Sequence, residues 1–541
     1  MLPKTPPTTP PTTPPTTVGV DLGTGNTVVV DAATGAVLVP PTPSEVSCLP
    51  GGALAFGADP RARCVFSQFK RLVGVRAADV PSGTMGGDAS AGGYRVEDDE
   101  RGRAVAVSPE GFRFSPLELS AEVLRALVPA GARAVVACPA YYSDEQRRVV
   151  RNAAARAGIE VLRVVNEPTA AACVAFDPTR GADETVLVLD VGSGTTDVTI
   201  VTLSGDSVEA LVAEVVATRG DPMLGGIDVD AAIAAAARVG DDSVLRAARE
   251  RKHAGDYDAA TIAPLVARMA RCASECLRDA GLTRLDVDRV VMVGGSTRLR
   301  ELRARVEEMF GPGRVDWTSQ DADTAVAAGA ARIAAALAGA GAGAGALVLD
   351  VAPLTLGVET AGGTVCQIVP RGTGVPCRRT ARFRAAEAGA GPVEVDVRVL
   401  EGERLVADAC RSLGDFAFRL SCGTNRLELA FDVDASGILS VRATEIDAEG
   451  HAVATATHRV RAGDVAPDLV RAHAREALAR RGDDEREAAG RARRATLDAA
   501  LRLAARAHGG AAVDRLRAAD AADAADAADA TLLRAVAGLG L

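Results

Sequence analysis

The sequence predicts a multidomain chain: an α/β region in front, an all-β region behind it, and a helical C-terminal segment. Three observations carry this. Two strand–turn–strand units with Asp at matching places, Val18 to Thr27 and Val186 to Leu203, lie far apart in the chain and suggest one Gly-rich clasp in each of two lobes. A Gly/Ala tract at 338–346 marks a domain boundary. Beyond it, mixed strand and helix signals give way to short alternating strands such as Val393-Val395-Val397-Val399 and Leu427-Leu429-Phe431-Val433.

Bulk properties narrow the classes. A chain of 541 residues holds three or four domains by length, and an apolar content of 48% supports large cores even with aromatics at 3%. A net charge of −10 argues against general nucleic-acid binding, which wants a basic face. The 10 cysteines form no C-x-x-C pair; Cys272 and Cys276 lie four apart without accompanying His, so buried thiols are expected rather than zinc. Residues 1–17 are a Pro/Thr tract without the apolar core of a signal peptide, expected to be a disordered extension. The longest uncharged run, Ile333 to Leu349, is mostly Ala and Gly and too weakly apolar for a membrane span. The default location is cytoplasmic.

Taken in order, Val18-Gly19-Val20 leads into Asp21, and Gly23-Thr24-Gly25-Asn26 makes the first turn. Without Cβ atoms, glycines let backbone N–H groups close around a phosphate. Phe69-Lys70-Arg71-Leu72-Val73-Gly74 follows, in a chain where Lys is rare. Ala134 to Cys138 reads as a buried strand ending at Pro139, and Ser143 to Gln146 has capping-box spacing at a helix start. A strand from Glu160 ends at Asn166-Glu167, where Pro168 opens an Ala-rich helix at its favoured first position. The second clasp is Asp190-Val191-Gly192-Ser193-Gly194-Thr195-Thr196-Asp197. Carboxylates facing phosphate make chemical sense with a cation between them, and Mg²⁺ is the usual one. The P-loop pattern is absent, and neither turn runs into a helix, so the dinucleotide fingerprint does not fit. A strand at Glu214 to Ala217, a Gly225-Gly226 pair, a helix at 229–238 and two further helices at about 243–254 and 258–280 come next. Val290 to Val293 is a strand ending on Gly294-Gly295-Ser296; these glycines allow close approach of a flat ring, and Arg298 could stack on a purine. Asp323 precedes a small-residue helix. Leu347-Val348-Leu349-Asp350 is an apolar run that must dock somewhere.

These motifs, in this order, resemble the DnaK-type 70-kDa heat-shock chaperones of the actin-like ATPase superfamily. The resemblance rests on VDLGTGN, FKRLVG, CPAYYSDEQR, VVNEPTAAA, DVGSGTTD, VMVGGSTR, LVLDVAPLTLGVET and VLEGER, and covers about residues 18–465. It implies a two-lobed actin-like (ribonuclease H-like) ATPase domain at 18–340, an interdomain linker at 341–351, a β-sandwich peptide-binding domain at 352–465 and a short helical lid with a low-complexity tail at 466–541.

The resemblance also implies roles. ATP is hydrolysed to ADP with Mg²⁺, and K⁺ is a further candidate ion. Asp21 and Asp190 hold Mg²⁺ through water. Asp197 joins them in orienting the nucleophile, Lys70 and Glu167 place the attacking water, and Thr195 and Thr24 contact phosphate with backbone N–H groups from Gly23, Gly192 and Gly194. Gly25, Asn26, Ser193, Gly225, Gly226, Glu250, Lys252, Gly294, Gly295, Ser296, Arg298 and Asp323 complete the nucleotide site; His253 competes with Lys252 for its place. Pro139 and Arg147 relay the nucleotide state, and Arg163, Asn166 and Asp350 match J-domain cochaperone contacts. Val358, Ala361, Ala386, Val395, Val397 and Ile438 match a channel for extended apolar segments of unfolded clients.

Three departures from the family pattern stand out. Gly25 replaces a Thr, Ile227 replaces a Glu, and the segment from 240 to 280 is shorter than in relatives, which leaves a nucleotide exchange factor open. No nucleic acid or membrane partner is expected. Two other functions are weighed. A small-molecule kinase of the same superfamily needs neither sandwich nor apolar linker. A non-hydrolysing scaffold has no physical need for Lys70, Glu167, Asp190 and Asp197 together.

Overall fold

The computed structural model describes residues 15–458 apart from segments at 81–92, 181–182, 206, 208–209, 237–241, 317–320, 340–346, 386–391, 422–424 and 448. The expected helical lid and the channel position Ala386 lie outside the described residues.

The first lobe is built on a five-stranded sheet. Its order is β11 (Glu160–Asn166), β10 (Arg133–Cys138), β1 (Thr17–Leu22), β2 (Asn26–Asp31) and β3 (Val37–Pro43). β1 begins at Thr17, so this residue belongs to the lobe rather than to the preceding tract. The strand runs parallel to β10 and antiparallel to β2, which makes the first clasp a hairpin. Val18, Val20 and Leu22 pack with Val136, Leu119 and Leu124 on one face, while Val28 and Val30 pack with Ala327 and Ala331 on the other. Burial on both faces explains the continuous apolar runs. Two small antiparallel sheets extend the lobe: β4 (Val46–Cys48) with β5 (Leu54–Phe56) and β6 (Cys64–Phe66), and β7 (Arg95–Asp98) with β8 (Ala104–Val107) and β9 (Arg113–Phe114). Helices α1 (Pro116–Leu127) and α2 (Asp144–Arg156) both open with complete capping boxes, Ser115/Glu118 and Ser143/Gln146. Helix α3 (Glu167–Ala175) starts at the end of β11, with Pro168 in its first turn.

The second lobe has a seven-stranded sheet. Its order is β16 (Val315–Asp316), β15 (Arg289–Val293), β12 (Glu184–Val191), β13 (Thr196–Ser204), β14 (Val212–Asp221), β17 (Leu347–Val351) and β20 (Gly374–Val375). The second clasp is the β12–β13 hairpin, with Asp190 opposite Asp197. Helices α4 (Gly226–Ala236), α5 (Asp242–Ala254), α6 (Ala259–Ala280) and α7 (Arg300–Phe310) belong to this lobe, and α8 (Ala325–Leu337) packs against α3 and β1. One shared core, with Val135 and Val165 from the first lobe and Val186 and Val201 from the second, closes around Ala170–Ala172 of α3 and Ile333 of α8. Only residues 255–258 join α5 to α6, the short connection expected from the sequence.

The apolar linker is docked. β17 adds to the sheet parallel to β14, Leu347 opposite Val212, and its end pairs with β20 through Asp350 and Val375. Val348 is 1% exposed. The remaining strands form two antiparallel sheets, β19 (Thr364–Val369), β18 (Leu356–Thr360), β22 (Val393–Glu401), β23 (Arg411–Leu420), and β21 (Cys377–Arg384), β24 (Arg426–Val433), β25 (Leu439–Ile446), β26 (Ala452–His458). Val399 and Leu413 of one sheet share a core with Leu429, Phe431 and Val441 of the other.

Candidate functional site

A cavity of about 790 Å³ opens between the lobes, and both clasps line it. Each hairpin is closed by its own backbone: Gly23 N donates to Asn26 O and Gly192 N to Thr195 O, both at 3.0 Å. This corrects an expectation from the sequence. The Gly23 and Gly192 N–H groups are used by the turns, which leaves the tip residues, Thr24–Gly25 and Ser193–Gly194, to face a phosphate. Gly25 also has a steric reason. A Cβ there would lie 2.6 Å from Ser193 Oγ, so the second hairpin's hydroxyl occupies the space that a side chain at 25 would fill.

The acid–base end of the cavity is a dense charge cluster. Lys70 sits in a 3₁₀ turn, Phe69–Leu72, and its Nζ donates to Glu167 Oε1 at 2.7 Å with both side chains nearly buried. Burial pushes the Lys70 ammonium down, but Glu167, Tyr142 and Asp21 outweigh that and hold it above its ordinary value. Asp21 is pushed up to about 7, first by burial and then by Glu167. Asp190 is raised well above the usual carboxylate range by burial, Glu167, Asp197 and Asp21. Excess negative charge held out of water calls for a cation. Asp21 Oδ1 is buried without a hydrogen-bond partner, as a position completed by an ion or its water would be. No group of three His, Cys, Asp or Glu is arranged to hold a metal directly among the described residues. The all-oxygen carboxylate set of Asp21, Asp190 and Glu167 fits a hard cation such as Mg²⁺.

Asp197 stands behind this wall. It is fully buried, its Oδ1 accepts from Ala140 N at 3.1 Å, and it is not among the residues lining the cavity. It helps to raise the Asp190 carboxyl, which does line the cavity. Gly225 is likewise not a lining residue; a Cβ there would lie 2.6 Å from Ser193 O, so it packs against the back of the second hairpin, while Gly226 lines the cavity.

At the other end, Gly294, Gly295, Ser296, Arg298 and Asp323 line the cavity as expected. Gly294 has φ +83°, and a Cβ would lie 2.6 Å from Asp190 Oδ1. Arg298 forks onto Asp323 at 3.1 and 2.8 Å, which fixes the plane of its guanidinium. Helix α5 supplies Arg249, Lys252 and His253. These positions share a helix face, and Glu250 does not. Glu250 is exposed and outside the cavity, which corrects its assignment to the nucleotide site. Lys252 Nζ reaches Asp230 Oδ1 at 2.7 Å and Gly226 O at 2.9 Å. Arg71, Asp228 and Asp230 had not been singled out in the sequence. Arg71 stands inside a quoted motif, but its partner is 157 positions away, a distance no local pattern reports.

A hydrogen-bond path leaves the cavity floor. Asp197 holds Ala140, next to Pro139; Ala140 O accepts from Arg147 Nη2 at 3.3 Å, and the same nitrogen donates to Asn166 Oδ1 at 2.6 Å. Asn166 Nδ2 then donates to Asp350 Oδ1 at 2.6 Å in the docked linker. Arg163 donates to Val348 O and to Ala435 O, both at 3.0 Å, and Arg147 Nη1 reaches Ser436 O at 3.4 Å. The relay residues are thus brought together, and they meet both the linker and the β24–β25 turn. Of the channel positions, Val358 and Val397 lie in the sandwich core, Val395 is half-buried at its margin, Ile438 is buried beside the docked turn, and Ala361 is exposed at the β18–β19 tip.

Two lobes closing on a cleft lined by two Gly-rich hairpins, with a β-sandwich docked through a strand-forming linker, define the class of the protein. A model of the Hsp70 protein family matches residues 17–238 and 259–533, and the chain belongs to that family. It is an ATP-dependent chaperone by kinship. The chain is 35% identical over 485 residues to the chaperone protein HscA homolog of Bordetella pertussis, covering 79% of this chain and 76% of that one. It is equally similar over 482 residues to the chaperone protein HscA of Klebsiella pneumoniae. It is 32% identical over 488 residues to the HscA homolog of Shewanella oneidensis. The family match skips 239–258, which holds α5 and the short connection.

Proposed function

We propose that this chain hydrolyses ATP to ADP and phosphate and uses the step to control its grip on extended apolar segments of unfolded proteins. The observation that carries the proposal is the unbroken path from Asp197 through Ala140, Arg147 and Asn166 to Asp350. A nucleotide pocket with no consequence elsewhere has no need of it. Lys70 and Glu167 would place the attacking water, Asp21 and Asp190 would hold Mg²⁺ through water, and Thr24 and Thr195 would contact phosphate. Mg²⁺ would supply charge neutralisation on the phosphates, with K⁺ a further candidate. Phosphoryl transfer of this kind needs placement and charge compensation above all. Asp197 positions the floor and passes its state outward.

The sandwich binds clients, with Val358, Val395, Val397 and Ile438 as channel positions and Ala361 as a small, loosely gripping tip. A J-domain cochaperone would act on the docked joint that Arg163, Asn166 and Asp350 form beneath the linker, and the cytoplasm is the setting. The short α5–α6 connection supports nucleotide release without an exchange factor. Phosphate release from Mg-ATP with no phosphoryl acceptor present tests the reaction. Stoichiometric or faster release supports it; ATP binding without any release points to a scaffold, and release only with an added acceptor to a kinase.

A further inference from the structure

Arg71 follows Lys70 in the same turn of the first lobe, yet its bonds go to the second lobe. Its Nη2 donates to Gly194 O at 2.7 Å, and its Nε to the same oxygen at 3.2 Å. Nη2 also donates to Asp228 Oδ2 at 2.6 Å, with Nη1 3.5 Å from Oδ1. Asp228 Oδ2 in turn accepts Gly225 N at 2.7 Å. One planar guanidinium therefore ties the turn that carries Lys70 to the tip of the second clasp and to the Gly–Gly turn that opens α4. The Arg71 side chain is 1% exposed, so water competes little for these bonds. There is no slack: a Cβ on Gly194 would lie 2.7 Å from Thr24 Cγ2 and 3.0 Å from Arg71 Nε. Arg71–Asp228 is thus an ion pair that joins residues 17–175 to residues 184–337.

We propose that Arg71 and Asp228 form the lock that keeps the two lobes closed, and that this lock sets how long nucleotide stays. The inference rests on the cleft being a nucleotide site. A nucleotide under both hairpin tips can leave only when the lobes part, and parting breaks the Arg71 bonds to Gly194 and Asp228. Arg71 is a positioning residue: it fixes where the second clasp stands relative to Lys70 without itself lining the cavity.

The test is the dissociation rate of a fluorescent ADP from the full chain with Mg²⁺, measured for wild type, Arg71→Gln, Arg71→Lys, Asp228→Asn and the Arg71→Gln/Asp228→Asn double variant. Each single variant is expected to release ADP at least tenfold faster. The double variant should release it no faster than Arg71→Gln, because the two residues act as one unit. Arg71→Lys should not rescue, since a single ammonium nitrogen lacks the rigid planar fork by which Nε and Nη2 meet Gly194 O while Nη2 and Nη1 face the Asp228 carboxylate. Asp228→Asn keeps the residue's shape, and its apo thermal midpoint should stay near wild type, which separates a lock from general support. Dissociation rates within twofold of wild type would overturn the proposal, as would fully additive effects. Wild type that binds no ADP would count against the nucleotide reading instead. The lock is then judged by amide hydrogen exchange at 192–196 and 225–229, where Asp228→Asn must raise exchange and unchanged exchange overturns it.

Discussion

At the scale of single residues, the cavity is governed by buried charge. Removing one preorganised electrostatic group from such a site lowers turnover by about 10²–10³-fold. Lys70→Ala is expected to lose that much in single-turnover hydrolysis while still binding Mg-ATP; a loss under threefold would contradict its role. Asp21 sits near pH 7 because burial and Glu167 oppose its ionisation. A cation must displace that proton, so Mg²⁺-dependent ATP affinity should rise with pH up to about 7 and level off above it. The Gly25 departure has a local answer in Ser193. Gly25→Thr alone should weaken ATP binding by crowding Ser193, and Ser193→Gly added to it should restore binding. Isothermal titration of the two variants checks this; equal binding by both would mean the hairpins have room to spare. Much of this scale was legible: Asp21, Lys70, Glu167 and Asp190 all line the cavity. Glu250 was misplaced because a one-residue ambiguity on a helix turns a side chain by a large angle to another face. The Gly23 and Gly192 N–H groups were misassigned because a hairpin consumes some of its own donors.

At the scale of elements, the N-terminus of α2 is a joint. Asp144 Oδ1 accepts Leu439 N at 2.7 Å, Arg148 donates to Asp144 Oδ2 and to Leu439 O, and Glu145 pairs with Arg411, which also reaches Glu401 Oε2 at 3.3 Å. Glu401 is pushed up to about 7, chiefly by burial, with Asp144 and Glu145 adding to the effect and Arg411 opposing it. Undocked and exposed, a Glu titrates near 4.3. The docked sandwich thus holds a proton that the undocked one gives up. Docking is favoured at low pH, weakens as pH rises from about 4.3 to about 7, and is flat above. The slope cannot exceed about tenfold per pH unit for one proton. Energy transfer between labels on the first lobe and the sandwich, read from pH 5.5 to 7.5, should show this slope in wild type and lose it in Glu401→Gln. Wild-type docking independent of pH would refute it. The strands and helices themselves followed their patterns closely, since apolar runs and capping boxes are local. The joint did not, because it pairs side chains hundreds of positions apart, as with Glu145 and Arg411.

At the scale of the whole molecule, the proposed function makes the linker the link between reaction and grip. Its apolar side chains predicted that it must dock, and β17 does so as a strand of the second lobe's sheet. Its bond to Asn166 makes docking answer to the cavity floor. Coupling of this kind is reciprocal: what nucleotide does to client affinity, client does to nucleotide affinity. Asp350→Ala should cut that coupling, leaving hydrolysis without its response to peptide. The duplicated hairpins and the change to short alternating strands after 346 pointed to an α/β region followed by an all-β one, and the sheets follow that order. Which face each domain turns to the other was not legible, because the contacts of Ala435 and Ser436 are made through backbone carbonyls and a hydroxyl, which leave no apolar pattern in the sequence.

Single-turnover hydrolysis of Mg-ATP by the full chain, with and without an extended apolar peptide, tests the central claim most directly. The account predicts slow turnover that the peptide speeds several-fold, with the acceleration gone in Asp350→Ala. Turnover that ignores the peptide would contradict it, because the path from Asp197 to Asp350 would then join two sites that do not speak to each other.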